Sequence, residues 1–206
     1  MTPAPESITS DRIEVRQDSA TLWRLLAVPG FALLTAVGAH IAFPMPPWGV
    51  PQSLQTLAVL LCALTLGPML GMTSMLLYLI AGLVGVGVFA NGESGWQSII
   101  GQTGGYLVGF VACQPVARWI VRTPTGGYRG WLSVVVAGLA VHAVVFGFGV
   151  PWLYGVRATD PEAAALTVGD AMFHGCVVFL PGMVLKTGIA TGLAFMFRPE
   201  IGRRIW

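Results

Sequence analysis

The sequence predicts an all-α integral membrane protein with six transmembrane helices, and three observations carry that prediction. Hydrophobic residues make up 55% of the 206 positions and charged residues 10%, whereas a soluble domain carries about 25% charged residues. The charges are also bunched: residues 25–92, a run of 68, contain no Asp, Glu, Lys or Arg, and one helical pass of a bilayer needs about 20 apolar residues. Further uncharged runs cover 94–117 and 130–156, and 171–197 holds a single charge, Lys186.

Each element follows from apolar runs read against Gly and Pro punctuation. Residues 1–24 read as a polar tail with an interfacial turn at Leu22 and Trp23. It is no signal peptide, because Glu6, Asp11, Glu14 and Asp18 stand where such a segment would be purely basic. The membrane domain spans 25–198. Its first helix, about 25–43, is stopped by the four prolines of 44–51. The second, 53–66, turns at Gly67-Pro68, and the third, 69–89, runs into the glycine-rich 91–95 loop. The fourth covers 101–121 and the fifth 130–154. Pro181 breaks the last apolar stretch, so Asp170–Phe179 is set apart as an outer helix or hairpin arm, and the sixth span is 181–198 with Pro181 in its first turn. Residues 199–206 form a short tail.

Orientation follows from arginine placement. Arg12, Arg16, Arg24, Arg118, Arg122, Arg129, Arg198, Arg203 and Arg204 fall on one side, and Arg157 alone on the other. That arrangement puts both termini in the cytoplasm and the three Gly-, Pro- and Trp-rich loops outside. A net charge of +2 with no basic stripe leaves nucleic-acid binding without a basis. Cys62, Cys113 and Cys176 are odd in number, widely spaced and set in apolar runs, which reads as buried small side chains.

Lys186 is the only lysine, and it falls in the second turn of a helix that starts at Pro181. A cation at bilayer depth costs a few kcal/mol or more and normally faces the bundle interior and a partner. With the positive end of the helix beside it, it suits an anionic group entering from outside. A carboxylate such as Asp170, or outward snorkelling to water, would also accommodate it. Asn91 offers an amide in an external loop, though a turn explains it as well. Tyr106 opens span four, where an interfacial aromatic belt is an equal explanation. Gln55 and Thr56, one turn into span two, read as polar residues that hydrogen-bond between helices. On span one, Ala32 and Ala36 are small residues four apart, which lets an internal neighbour or another subunit approach closely. His40, His142 and His174 lie on three segments without metal-ligand spacing. Gly92-Glu93-Ser94-Gly95 matches the G-x-S-G of rhomboid proteases in four residues only, and Ser94 lies in a loop beside a charge. Lys186-Thr187 lacks the glycine that a P-loop needs at position 185, so ATP hydrolysis by that route is excluded.

Several strings together carry a resemblance. Ala36-Val37-Gly38-Ala39-His40-Ile41, Pro44-Met45-Pro46-Pro47 and Val50-Pro51-Gln52-Ser53-Leu54-Gln55-Thr56-Leu57 are followed by Leu66-Gly67-Pro68, Val88-Phe89-Ala90, Thr103-Gly104-Gly105-Tyr106 and Phe179-Leu180-Pro181-Gly182-Met183-Val184-Leu185-Lys186. In this order and spacing the chain resembles the BioY family, the biotin-binding S components of energy-coupling-factor (ECF) transporters. The resemblance implies a six-helix S-component bundle in the bacterial cytoplasmic membrane that captures biotin from outside without covalent chemistry. It implies a transmembrane T component and two ABC-type ATPases as partners, so that ATP is hydrolysed only on those subunits and biotin is cargo rather than cofactor, or else a solitary transporter driven by another energy source. It also implies that Lys186, the Asn91 loop, Tyr106 and Gln55 line the pocket, and that Ala32 and Ala36 dock the T component. Three positions depart from the family pattern. Gln102 and Gly87 replace prolines, and Met183 stands where the family carries Asp. Losing a hydrogen bond to a charged acceptor costs about 1.5–3 kcal/mol, with Asn91, Asp170 or Glu93 as substitute acceptors. Met183 also leaves open an S component for a different vitamin-like ligand.

Overall fold

The computed structural model describes residues 7–43, 50–123, 129–159 and 167–196. Helix α1 is Ser7–His40, and a two-residue hairpin, β1 (Ala42–Phe43) against β2 (Gln52–Ser53), leads into α2, Gln55–Thr65, and α3, Pro68–Leu83. Short α4 (Trp96–Ile100) precedes α5 (Gly104–Ala112), α6 (Gln114–Val121) and the long α7 (Trp131–Ala158). Then come α8 (Val168–Gly175), a 3-10 turn at Val177–Phe179, and α9 (Leu180–Met196). Most of the proline-rich 44–51 loop, the 124–128 turn, much of the 155–170 loop and the 199–206 tail lie outside the described residues.

The apolar runs become helices as expected, with three corrections. The expected polar tail is helical from Ser7 through Leu22 and Trp23, because no Gly or Pro stands between 7 and 28 to stop a helix, and polarity alone does not. The third span ends at Leu83 rather than 89: Gly85 turns out at φ 97, a left-handed exit that glycine takes freely. The expected 101–121 helix is broken at Cys113. Pro115 has no N–H to give the carbonyl of Val111, and the chain tightens instead into a Val116-to-Cys113 bond of 3.1 Å.

Length divides the spans into two kinds. Trp131–Ala158 and Val168–Leu193 are long and apolar enough to cross a bilayer, and Leu25–His40, Gln55–Thr65 and Pro68–Leu83 are shorter apolar helices. At about 1.5 Å per residue, α2 reaches about 16 Å, roughly half of a hydrocarbon core.

The exterior of the bundle is apolar, unlike that of a soluble protein, and several polar side chains are buried within its hydrophobic core. Its outer faces carry Leu33, Met69, Ile80, Val84, Trp119 and Leu185, all exposed, while Thr35, Ser74, Gln114, His142, Lys186 and Thr187 are buried. Lipid is the solvent for which that distribution is stable. Close helix approach depends on small residues. Ala32, Thr35, Ala36 and Ala39 form the buried stripe of α1, facing α2 and α3, and the Ser74 hydroxyl donates across the gap to the carbonyl of Val28 at 2.7 Å. Cys62 and Cys113 are fully buried, whereas Cys176, at the end of α8, is half-buried.

Candidate functional site: a polar-ended cavity between α2, α5, α7 and α9

Lys186 arrives in the second turn of α9, with Pro181 in the first. Its side chain is 7% exposed and turns inward. Nζ donates to the carbonyl oxygen of Ser53 on β2 at 2.6 Å and to the hydroxyl of Thr56 on α2 at 2.9 Å. An ammonium has three protons, so one remains for another acceptor. The two bland uses of this lysine do not occur. It is not snorkelling, and it does not pair with Asp170, whose carboxylate caps α8 by accepting from the Thr167 N–H at 3.1 Å and from the Thr167 hydroxyl at 2.6 Å.

Lys186 stands in the wall of a cavity of about 80 Å³, several times the 10–15 Å³ that one water molecule occupies. Phe89, Phe110, Phe146 and Phe179 line that wall, with Tyr106 among them. The rings interlock: Phe146 packs edge-on to Tyr106 at 6.5 Å and tilted against Phe179 at 6.2 Å. A mostly apolar enclosure with a few convergent polar groups is the usual form of a small-molecule site.

Gln55 lies in the same wall, 8% exposed, within a chain of bonds. Ser53 Oγ donates to Gln55 Oε1 at 3.1 Å, Gln55 Nε2 donates to the Tyr78 hydroxyl at 2.7 Å, and that hydroxyl donates to the carbonyl of Val88 at 3.1 Å. The chain fastens the start of α2 to α3 and to the loop that carries Phe89. Tyr106 also belongs to the wall, but its hydroxyl donates to the Gly175 carbonyl at 2.7 Å and so ties α5 to α8. Gly149 makes this fit possible, since a Cβ there would overlap the Tyr106 ring.

Of the residues expected from sequence, Lys186, Tyr106 and Gln55 come together around one space and Asn91 does not. Asn91 is exposed at φ 59 and ψ 19, a left-handed turn position that asparagine tolerates. Its neighbours Ala90 and Glu93 line the cavity instead. Among the three substitute acceptors only Glu93 reaches the wall. Ser94 lies outside it. Ala32 and Ala36 lie on the face of α1 that packs against the rest of the bundle. They are 8% and 7% exposed and packed within the bundle's own core, because the internal neighbours α2 and α3 take the close approach that small residues offer. Met183 lies in the cavity wall one turn before Lys186. Sequence reasoning missed Thr56 as a partner of Lys186 and missed His142, which lines the cavity from α7. A lone histidine in an apolar run carries no signal of its own.

A second, lateral cavity of about 470 Å³ opens between α7, α8 and α9. It is lined by Leu139, Val150, Met172 and Cys176 and shares Phe146 and Met183 with the first.

Comparison with known proteins places this arrangement. Residues 12–203 match the model of the BioY family. A probable biotin transporter of Pyrococcus horikoshii is 38% identical over 132 residues, covering 61% of this chain and 78% of the relative. The biotin transporter BioY2 of Lactococcus lactis subsp. cremoris is 37% identical, with 82% and 90% covered. The fold is that of a solved S component for biotin from an ECF-type ABC transporter, at TM-score 0.77 and 18% identity over 90% of this chain and 97% of that one.

Proposed function

The chain belongs to the BioY family of integral membrane transport proteins, and from that premise we propose that it is the biotin-capturing S component of an ECF-type transporter. The observation that carries this reading is Lys186, a buried cation with a proton to give, closing one end of an aromatic cavity. Biotin has the matching form: an apolar ring and chain between a carboxylate and a ureido group. Lys186 neutralises the carboxylate or donates to the ureido oxygen, the phenylalanine rings cover the apolar body, and Tyr106 and Gln55 hold the walls in place. The nine arginines on one side put both termini in the cytoplasm, so the cavity lies toward the outer face and fills from outside. Nothing covalent happens to the ligand. A transmembrane T component and two ABC-type ATPases drive release, and ATP is bound only by the ATPases.

Met183 supports one second reading, an S component for a different vitamin-like ligand, since a thioether stands where the family carries a carboxylate. The deciding experiment is the melting temperature of the detergent-purified protein with and without biotin, alongside Lys186→Ala. A ligand that binds only the folded state stabilises it by mass action, about 2.7 kcal/mol at one hundred times Kd. We expect a rise with biotin that is absent in Lys186→Ala. No rise with the wild type, and a rise with another vitamin, overturns biotin in favour of the second reading.

A further inference from the structure

His142 sits in the middle of α7 and is 1% exposed. Its Nδ1 lies 2.8 Å from the carbonyl oxygen of Gly138, one turn earlier. A carbonyl only accepts, so Nδ1 carries the proton, and in the neutral ring Nε2 then presents a bare lone pair. That nitrogen is buried and has no hydrogen-bond partner among the described residues. The residue nonetheless forms part of the cavity wall, next to Phe146, whose ring lies 6.2 Å away. A buried acceptor without a donor is costly in an apolar interior. Gln55 and Tyr78 find partners within the chain; among the described residues no donor reaches His142 Nε2, and, unlike the equally unpartnered Gln114 Oε1 and Thr187 Oγ1, it belongs to a residue of the cavity wall.

We propose that His142 Nε2 is a recognition atom for the ligand and accepts a hydrogen bond from a ligand N–H group. The pocket then has complementary polar contacts: Lys186 donates to an oxygen, and His142 accepts from a nitrogen-bound hydrogen. That pair selects cyclic ureas and lactams, which carry C=O and N–H side by side, over simple carboxylic acids of the same shape. This rests on the biotin reading, deepens it, and assigns His142 to the ureido end. It also supplies a neutral acceptor in a cavity whose Met183 offers none.

The test uses the full-length protein in detergent and three ligands: biotin and its two mono-N-methylated ureido derivatives. Affinities are measured for the wild type, His142→Phe, which keeps a ring of similar size, and His142→Gln, whose amide oxygen can stand near the place of Nε2. We expect the wild type to prefer biotin over one N-methyl derivative by about tenfold or more, as for a lost buried hydrogen bond. His142→Phe should lose biotin affinity by a similar factor and discriminate no longer, with His142→Gln between the two. Ligand-free melting temperatures identify any variant that fails to fold, and in that case the wild-type preference decides. Wild-type binding that ignores both N-methyl groups, or His142→Phe binding biotin within twofold of wild type, overturns the role of His142 alone. Absence of biotin binding to the wild type overturns the biotin reading and this one with it.

Discussion

The two polar walls of the cavity meet the same problem in opposite ways. On the α2–α3 side, Ser53, Gln55 and Tyr78 pass hydrogen bonds from one to the next until the Val88 carbonyl closes the chain. On the α7–α9 side, Lys186 keeps a proton and His142 keeps a lone pair. Both sets are buried in a bundle whose exterior is apolar, where each unsatisfied group is expensive. A polar residue inside such a protein is there to hold helices together or to hold something else. An unmade bond on a residue of the cavity wall points to the second.

Substitutions on each side sharpen this contrast. The largest effect belongs to Lys186→Ala. Truncating one partner of a buried charged contact costs about 2–5 kcal/mol, so biotin affinity should fall by about thirtyfold or more, read by titration calorimetry, and the ligand-free melting temperature should also fall, because the Ser53 carbonyl and the Thr56 hydroxyl lose their buried donor. Met183→Asp works in the other direction. A carboxylate one turn before Lys186 adds a charged acceptor to the wall and should raise biotin affinity by about 1.5–3 kcal/mol; unchanged or weaker binding would mean that Lys186 consumes the new carboxylate for itself. Tyr78→Phe tests the opposite wall. It breaks the chain at its midpoint and should lower stability by about 1 kcal/mol, seen as a lower melting temperature, with biotin affinity within twofold. A large loss of affinity there would erase the distinction between the walls. The smallest effect is Asn91→Gly, which keeps the left-handed turn and touches no cavity atom; stability and affinity should both stay within about 0.5 kcal/mol of wild type.

Most of the bundle was legible because lipid-facing helices need long uncharged runs, and 25–92 could hardly be anything else. Pro115 already marked the break at Cys113, yet an apolar run of the right length concealed it. The N-terminal segment was misjudged by treating polarity as a reason not to be helical. At the site, Lys186 was visible because a single lysine in a membrane segment is anomalous in itself. His142 was not. Its significance depends on the Gly138 carbonyl taking one nitrogen and on α7 turning the residue to the cavity, and neither is a property of local sequence. Ala32 and Ala36 were recognisable as a close-packing stripe, but a stripe does not name its neighbour. Asn91 drew notice through the glycines around it, and those glycines signal the turn it occupies.

The uneven burial of the three cysteines gives the unmodified chain a built-in attachment point. Cys62 and Cys113 are sealed in the core, while Cys176 lies half-buried at the end of α8, in the lateral cavity that shares Met183 and Phe146 with the ligand site. A maleimide fluorophore reacts first with the accessible thiol. Labelled protein would therefore carry its dye beside the pocket without any cysteine having to be removed, and emission during a ligand titration would follow occupancy in real time, in detergent or in a reconstituted bilayer.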